Sequence, residues 1–226
     1  MIRPLCWSIL FLALHISTKA QTTIELYNPD TQPRNDEVVS IPWKNILSAW
    51  PNIDTTKLII TAAGGTTQIP YQFEHRGEPA IQNLLLQISL NPKSKIQIQL
   101  TTGTPTPFQP KTFCRYVPER KDDFAWENDK IAFRAYGAAL ENTPAENAYG
   151  TDVWVKRTTR LILDDRYKRG EYHVDHGDGM DYYHVGLTLG AGDIAPYAKD
   201  SIWYPNNYRR WKVLDNGPLR SAFQLE

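Results

Sequence analysis

The chain has 226 residues, and its 25 acidic and 25 basic side chains cancel to a formal net charge of zero. A balanced charge argues against nucleic acid and an anionic membrane surface as partners. The 16 prolines and 13 glycines favour a loop-rich β architecture over a helical one. The 7 Trp and 12 Tyr provide core volume and also flat ring faces on which sugars can rest.

Residues 1–20 have the layout of a secretory signal peptide. Arg3 supplies a positive charge, residues 5–14 are almost wholly apolar, and Ala20 ends a stretch that permits cleavage. The apolar run is shorter than the roughly 18 residues that a membrane-spanning helix needs, and no later segment approaches that length. We therefore expect a periplasmic or secreted mature chain that does not insert into a membrane. The alternative is an N-terminal anchor that stays uncleaved.

The alternation of apolar and polar side chains predicts strands in the first half of the chain. These strands lie at residues 37–41, 57–61, 67–73, 83–90 and 95–101, with one two-turn helix at residues 44–50. Their short, regular spacing and the Gly and Pro turns between them favour an all-β antiparallel sandwich. A Pro-rich loop at residues 104–110 follows.

Further strands are predicted in the second half at residues 129–136, 152–163, 171–174, 182–189 and 210–214. Alternation in residues 151–158 places Asp152, Trp154 and Lys156 on one face. That polar face predicts either the lining of a groove or the solvent side of an antiparallel sheet. Residues 217–226 resemble a strand that begins to alternate where the sequence stops. We therefore expect one β-sandwich domain, residues 21–226, that is truncated at its C-terminus.

Residues 171–184 contain three of the five histidines beside several carboxylates and two glycines. His173, His176 and His184 are candidate catalytic acids or bases, and Asp175 is a candidate to orient an imidazole. One alternative is a structural loop in which the carboxylates cap turns. The other is a site for zinc, or for calcium on Asp175, Asp178 and Asp181, although the spacing matches no specific metal motif. No cofactor is required by any motif.

Residues 115–134 supply arginines that are suited to binding a substrate carboxylate. The planar guanidinium groups of Arg115, Arg120 and Arg134 can each hold a carboxylate through two hydrogen bonds. Trp126 could stack on a sugar ring, and Glu127 could act with another carboxylate in acid–base chemistry. The alternative is a solvated loop with local ion pairs. Tyr172, Tyr183 and Asp181 complete the predicted ligand contacts.

Four ordered motifs resemble a known family. Residues 115–129 read RYVPERKDDFAWEND, 152–156 read DVWVK, 172–177 read YHVDHG, and 185–190 read VGLTLG. Together they resemble the exported bacterial family catalogued as domain of unknown function 4861, over nearly the whole mature chain. The resemblance implies a role in polysaccharide utilisation, a galactose-mutarotase-like β-supersandwich, and members longer than this chain. It carries over no catalytic residues.

The leading functional hypothesis is an exported enzyme that acts on a uronic-acid-containing glycan by hydrolysis or β-elimination. It requires that the imidazoles of residues 171–184 and the guanidinium groups of residues 115–134 meet in one open cleft. A rival hypothesis is a non-catalytic glycan-binding protein in which Trp126, Trp154 and Tyr183 stack on sugars. A second rival is a sugar epimerase or mutarotase.

Overall fold

The computed structural model describes residues 22–143, 145–146 and 148–226. The predicted signal peptide lies outside these residues. The described part of the chain is mostly β structure in several antiparallel sheets. None of its helices is long and apolar enough to span a bilayer.

Two three-stranded antiparallel sheets form a sandwich in the first half. The strands are β1 (Thr22–Tyr27), β2 (Arg34–Pro42), β3 (Leu58–Ala62), β4 (Tyr71–Glu74), β5 (Asn83–Leu90) and β6 (Lys95–Thr102), with helix α1 (Trp43–Ala49) and a 3₁₀ turn at Thr55–Lys57. One sheet has the order β1-β6-β3 and the other β2-β5-β4. Leu84, Leu86 and Ile88 alternate inward along β5 and pack with Ile60 and Leu100 of the facing sheet in one buried cluster. Burying each such side chain stabilises the fold by roughly 1.5–3 kcal/mol.

The second half is built on a four-stranded antiparallel sheet with the order β10-β9-β8-β7. Its strands are β7 (Thr112–Val117), β8 (Asp123–Asn128), β9 (Ile131–Ala135) and β10 (Thr151–Val155). Helix α2 (Leu163–Arg169), the hairpin β11–β12 (Tyr197–Ala198, Ser201–Ile202) and the hairpin β13–β14 (Trp211–Asn216, Ser221–Leu225) follow, and 3₁₀ turns lie at Pro118–Arg120 and Ala138–Asn142.

The two faces of this four-stranded sheet have different chemistry. On one face, Phe124 and Trp126 pack against Phe223 of β14, with ring centroids 4.6 and 4.9 Å apart. On the other face, Ala125 and Trp154 pack against α2 in a second core cluster. The second face also carries the buried charges of the candidate site, because alternation places every second side chain of each strand there.

Most strand predictions of the first half are confirmed, and β5 has the predicted bounds of residues 83–90. The strand predicted at residues 67–73 begins only at Tyr71. Pro70 precedes it, and proline lacks the N–H that a ladder hydrogen bond requires. The predicted helix is confirmed as α1, and residues 104–110 contain neither helix nor strand. The predicted strands at residues 129–136 and 210–214 are confirmed as β9 and β13, and β14 lies within residues 217–226.

Three strand predictions of the second half are wrong in part or whole. The strand predicted at residues 152–163 ends at Val155, and a helix begins at Leu163. That helix has acidic residues in its first turn, basic residues in its last and Gly170 with φ 70° as its C-cap, all signals of a helix. Residues 171–174 and 182–189 form turns and loops instead of strands. Glycines with positive φ, such as Gly177 and Gly186, interrupt this region.

Of the two alternatives for the face that carries Asp152, Trp154 and Lys156, the solvent side of an antiparallel sheet is wrong. All three are buried, whereas Val155 on the opposite face is 44% exposed. Buried charge is tolerated at these positions because neighbouring strands supply partners of the opposite sign.

Candidate functional site

A buried arginine, Arg134, lies at the centre of the candidate site. Its side chain is 5% exposed, and its Nε donates to Asp152 Oδ2 at 2.8 Å. Its Nη1 lies 3.6 Å from Asp123 Oδ2, and its Nη2 lies 3.8 Å from Asp181 Oδ2. The sheet explains two of these contacts, since Arg134 of β9 is directly opposite Asp152 of β10, and Asp123 lies on the same face of β8. One guanidinium group therefore neutralises part of the charge of three buried carboxylates.

Three aromatic rings surround the same guanidinium group. The Cζ atom of Arg134 lies 5.0 Å from the ring centre of Tyr136 and 5.2 Å from those of Trp154 and Tyr172. Cation–π attraction at these distances favours the charged form of arginine. Tyr172 and Trp154 are themselves stacked, with centroids 5.3 Å apart. The rings and carboxylates thus hold Arg134 in one orientation.

Burial shifts the protonation of two of these carboxylates, Asp123 and Asp181. Burial raises the pKa of Asp123 to about 6, although Arg134 and Arg120 oppose the shift. Burial and the neighbouring charge of Asp152 raise the pKa of Asp181. Burial alone would lower the pKa of Arg134, but the charge of Asp123 and other neighbours outweighs it and raises this pKa. Arg134 therefore stays charged, while Asp123 gains a proton in mildly acidic solution.

An open pocket of about 130 Å³ lies beside this cluster and is called the candidate pocket below. Seven of the twelve predicted site residues line it, namely Arg120, Arg134, Tyr172, His173, Asp181, Tyr183 and His184. Tyr136, Ala145 and Glu146 complete the lining. The structure thus brings guanidinium groups of the first predicted stretch and imidazoles of the second to one pocket.

His173 is the imidazole whose geometry is best defined. Its Nδ1 lies 3.1 Å from the carbonyl oxygen of Asp181 and 3.8 Å from Asp181 Oδ2. A carbonyl oxygen only accepts hydrogen bonds, so Nδ1 carries the hydrogen. In the neutral ring the lone pair is then on Nε2, which can accept a proton. The side chain is 61% exposed, so a ligand can reach this imidazole.

Two tyrosine side chains, Tyr172 and Tyr183, contribute neutral hydroxyl groups and aromatic rings to the candidate pocket. Tyr183 donates its hydroxyl hydrogen to the carbonyl oxygen of Thr151 at 3.2 Å. Burial raises the pKa of Tyr172 and the pKa of Tyr183, so both remain neutral hydroxyl groups at ordinary pH. Their rings provide apolar surface within an otherwise charged pocket.

The other five predicted site residues lie outside the candidate pocket. Asp175 accepts from Arg157 at 2.8 Å and from the amides of Gly177 and Gly179 at 2.8 and 3.0 Å. The bond to Arg157, followed by these amide bonds, lowers the pKa of Asp175 to about 2. Asp175 therefore orders a turn, as the structural alternative predicted, and contacts no imidazole among the hydrogen bonds of the described residues. His176 instead places Nε2 2.9 Å from Glu171.

Arg115, Trp126 and Glu127 also have partners of their own. Arg115 binds Asp164 and Glu119, each at 2.6 Å. Trp126 stacks on Phe133 with centroids 5.5 Å apart, on the sheet face away from the candidate pocket.

Glu127 forms a fully buried pair with Lys156, with Oε2 and Nζ 2.5 Å apart. Its two carboxylate oxygens also accept from the amides of Ile162 and Leu163, at 3.1 and 2.7 Å. Glu127 thus fixes the start of α2.

Comparison with known proteins identifies the family of this chain. A family model described as domain of unknown function (DUF4861) matches residues 26–226. This chain belongs to the DUF4861 family. The resemblance predicted from the four motifs is therefore confirmed. Uncharacterized protein P7 of Formosa agariphila is 35% identical over 157 residues, which cover 63% of this chain and 40% of that protein. The chain thus matches about two fifths of that relative's length, and no solved structure matches it.

Metal ligation was one alternative for residues 171–184 of this DUF4861 chain. Within residues 22–143, 145–146 and 148–226, no three His, Cys, Asp or Glu side chains are placed so that they could hold one metal ion. Asp175 and Asp178, which the calcium alternative included, are engaged by Arg157 and Arg169 at 2.8 and 3.0 Å.

Sequence reasoning missed several residues that build the site of the DUF4861 chain. Asp123 and Asp152 lie beside Arg134, Tyr136 lines the candidate pocket, and Lys156 neutralises Glu127. One signal was available, because Asp123, Asp152 and Lys156 each alternate with aromatic or apolar residues that a core would bury. Charged side chains in such a pattern indicate buried pairs as well as a solvent face.

Another cavity of the DUF4861 chain, about 570 Å³, lies elsewhere, between β4 and β13. Asp215 and His75 line it, but the Asp215 carboxylate already accepts from the amides of His75 and Arg76 at 2.6 and 2.7 Å. This cavity therefore offers less free acid–base chemistry than the smaller candidate pocket.

Proposed function

We propose that this DUF4861 protein is an exported carbohydrate-active protein, and that its candidate pocket binds one residue of an acidic glycan. The observation that carries the proposal is the meeting of Arg120, Arg134, His173 and His184 in one open pocket. Residues 1–20, with the layout of a secretory signal, support the exported location.

The size of the pocket limits what it can hold. Pockets for drug-sized ligands are roughly 300–1,000 Å³, and the candidate pocket of about 130 Å³ is smaller. It would therefore hold a single sugar residue or a chain end, with the rest of the glycan outside. Tyr172 and Tyr183 would contact the apolar edge of that sugar.

Arg120 is the arginine best placed to bind a sugar carboxylate. Its side chain is 22% exposed, and its Nη1 lies 3.8 Å from Asp123, beyond hydrogen-bond distance. Arg134 is committed to three carboxylates and three rings, and Arg115 is paired outside the pocket. In this proposal Arg120 binds the substrate carboxylate, while the buried Arg134 contributes positive charge without direct contact.

The proposed chemistry is β-elimination in which His173 is the base. Its Nε2 removes the proton from the carbon next to the carboxylate, and Arg120 stabilises the negative charge that develops there. The electron pair then forms a carbon–carbon double bond as the glycosidic carbon–oxygen bond breaks. His184 in its protonated form donates a proton to the departing oxygen. In hydrolysis the same imidazoles would act differently: one would activate a water molecule for attack on the sugar carbon, and the other would protonate the departing oxygen.

The test compares the wild-type protein with His173→Gln and His184→Gln on a panel of acidic oligosaccharides. The measurements are the ultraviolet absorbance of unsaturated uronic acids and the appearance of reducing ends. We expect each substitution to lower turnover by roughly 10²-fold or more, the usual contribution of a general acid or base. His75→Gln is the matched control, because His75 also places Nδ1 3.2 Å from a carbonyl oxygen, that of Pro79, but lies outside the pocket. Unchanged turnover in both pocket variants would rule out this mechanism.

Glycan binding without cleavage is the second candidate function. It is favoured by the contacts of Asp181, which lies beside His173. The carboxylate of Asp181 also faces Arg134, so it is less available to assist the imidazole in catalysis. A protein that retains acidic oligosaccharides but releases neither reducing ends nor unsaturated products would support it. A change in anomer ratio without cleavage, measured by NMR, would indicate an epimerase or mutarotase.

A further inference from the structure

Asp123, which has no role in the proposed mechanism, lies behind the two arginines of the candidate pocket. Its side chain is fully buried and lies outside the lining of the pocket. Oδ1 faces Nη1 of Arg120 at 3.8 Å, and Oδ2 faces Nη1 of Arg134 at 3.6 Å. This carboxylate therefore lies between the guanidinium group proposed to bind the ligand and the one that contributes charge to the pocket.

The contacts of Asp123 with both arginines are longer than hydrogen bonds. Among the described residues, Asp123 Oδ1, Arg120 Nη1 and Arg134 Nη1 are buried atoms without a hydrogen-bond partner. The hydroxyl group of Tyr167 donates to Asp123 Oδ2 at 3.2 Å. Asp152, by contrast, accepts directly from Arg134 at 2.8 Å. Because a buried charge is costly without hydrogen bonds, the ionised form of Asp123 is poorly stabilised.

Charged and titratable groups surround Asp123 on the elements that pack around it. The groups are Arg120 of the 3₁₀ turn, Arg134 of β9, Asp152 of β10, Tyr167 of α2, Tyr172 of the loop after α2, Asp181 of the same loop, which faces Arg134, and Tyr208 of the segment before β13. Burial raises the pKa of Asp123 to about 6, while Arg134 and Arg120 oppose the rise. Burial also raises the pKa of each of the three tyrosines, so they stay neutral where Asp123 changes charge.

A ligand carboxylate bound to Arg120 would add a second negative charge to the guanidinium group that Asp123 already faces. Two carboxylates near one cation repel each other, and a nearby like charge favours the protonated form of a carboxylate. A proton on Asp123 removes this repulsion and leaves the positive charge of Arg120 to the ligand. Ligand binding and protonation of Asp123 therefore favour each other.

We propose that Asp123 competes with the ligand carboxylate for Arg120, and that it takes up a proton from solvent when an acidic glycan binds in the candidate pocket. The proton adds to a carboxylate oxygen of Asp123, and no bond of the ligand changes in this step. The inference rests on the proposed function and adds that the protein binds its acidic ligand more tightly in mild acid. Affinity falls as the pH rises from 5 to 7, because protonation of Asp123 becomes less favourable.

The experiment measures proton uptake by isothermal titration calorimetry at pH 6.5, in two buffers with different heats of ionisation. The ligands are oligosaccharides of glucuronate, galacturonate, mannuronate and guluronate. Asp123 should contribute roughly half a proton per bound ligand, because it is mostly ionised in the ligand-free protein at this pH and mostly protonated in the complex. Affinity should be roughly fivefold weaker at pH 7 than at pH 5.

Three variants identify the group that takes up the proton. Asp123→Asn keeps the shape of the side chain, and it should lower the uptake by roughly half a proton. Asp215→Asn is the matched control, because Asp215 is also a buried aspartate but accepts from the amides of His75 and Arg76, away from the pocket. Its uptake should equal that of wild type. Tyr167→Phe removes a hydrogen bond that favours the ionised form of Asp123, so it should move the fall in affinity to higher pH.

The outcomes separate this inference from the proposed function. Binding without proton uptake by wild-type protein, or equal uptake by wild type and Asp123→Asn, would overturn the inference alone. Uptake that persists in Asp123→Asn and disappears in a variant with both His173→Gln and His184→Gln would assign the proton to the imidazoles and also overturn it. No binding of any of these oligosaccharides would overturn the proposed function as well. If thermal unfolding shows that Asp123→Asn does not fold, the uptake by wild type and the pH profile of Tyr167→Phe decide the question.

Discussion

Replacing Arg134 with methionine tests whether this guanidinium group neutralises the buried carboxylates. Asp123, Asp152 and Asp181 have side chains that are at most 2% exposed, and Arg134 lies within 3.8 Å of each. Methionine keeps much of the apolar contact with the surrounding rings but removes the positive charge. The variant would therefore leave three carboxylates buried without their shared partner.

The expected loss in the free energy of unfolding is about 3–5 kcal/mol at pH 7, the usual cost of removing one partner from a buried ion pair. This loss should shrink in mild acid. The pKa of Asp123 is already about 6 with Arg134 present, against 3.8 for an ordinary aspartate, and losing Arg134 raises it further. A folded-state pKa above the unfolded value means that stability is regained as pH falls toward the unfolded pKa. Each additional unit of pKa shift corresponds to about 1.4 kcal/mol.

The assay is urea unfolding, followed by tryptophan fluorescence, at pH 7 and pH 5. Arg157→Met is the control, because Arg157 is 63% exposed and pairs with Asp175 at the surface. Its loss of stability should be much smaller and should not shrink in acid. A loss below about 1 kcal/mol for Arg134→Met, or a loss of the same size at both pH values, would refute the reasoning.

Three further predictions concern the four-stranded sheet of the second half and the loop that packs against it. Because the pKa of Asp123 is about 6, the wild-type free energy of unfolding should fall by up to roughly 3 kcal/mol between pH 4 and pH 7, and Asp123→Asn should abolish this fall. Thermal melts across this pH range test the prediction, and the same pH dependence in variant and wild type would contradict it. Glu127→Gln should lower the free energy of unfolding by about 3–5 kcal/mol, because it leaves the fully buried ammonium group of Lys156 without its partner. In urea unfolding, the double variant with Lys156→Met should recover part of this loss, and no recovery would contradict the pairing. Gly179→Ala should cost roughly 1–3 kcal/mol in the same assay, because Gly179 has φ +96° and a Cβ there would collide with the Val155 carbonyl oxygen; a wild-type value would contradict it.

The first-half sandwich could be predicted from alternation alone. In residues 83–90 the side chains at positions 84, 86, 88 and 90 are all apolar, so the period of two predicts the strand and the face that packs on the facing sheet; Leu85 on its other face is buried as well. Helix α1 was predicted within one residue at each end.

The buried face of β10 could not be predicted in the same way. Alternation separates Asp152 and Lys156 from Val153 and Val155 but does not say which face is buried. The answer depends on Arg134 and Glu127, which reach β10 only through strand pairing that the sequence does not display.

The candidate site was predicted in part for a related reason. Composition identified the stretch that contains His173 and His184, and the structure places both at the candidate pocket. It could not show that Asp175 orders a turn with Arg157, because that contact depends on a loop where a strand was predicted. Arg115 and Arg134 look equivalent in sequence, but only Arg134 lies on a central strand among carboxylates.

The most direct test of the central claim is NMR of the imidazole groups during titration with acidic oligosaccharides. If the candidate pocket is the sugar-binding site, the ring resonances of His173 and His184 will shift in proportion to bound ligand, and those of His75 will not. Shifts confined to His75, or no shifts at saturating oligosaccharide, would contradict the account.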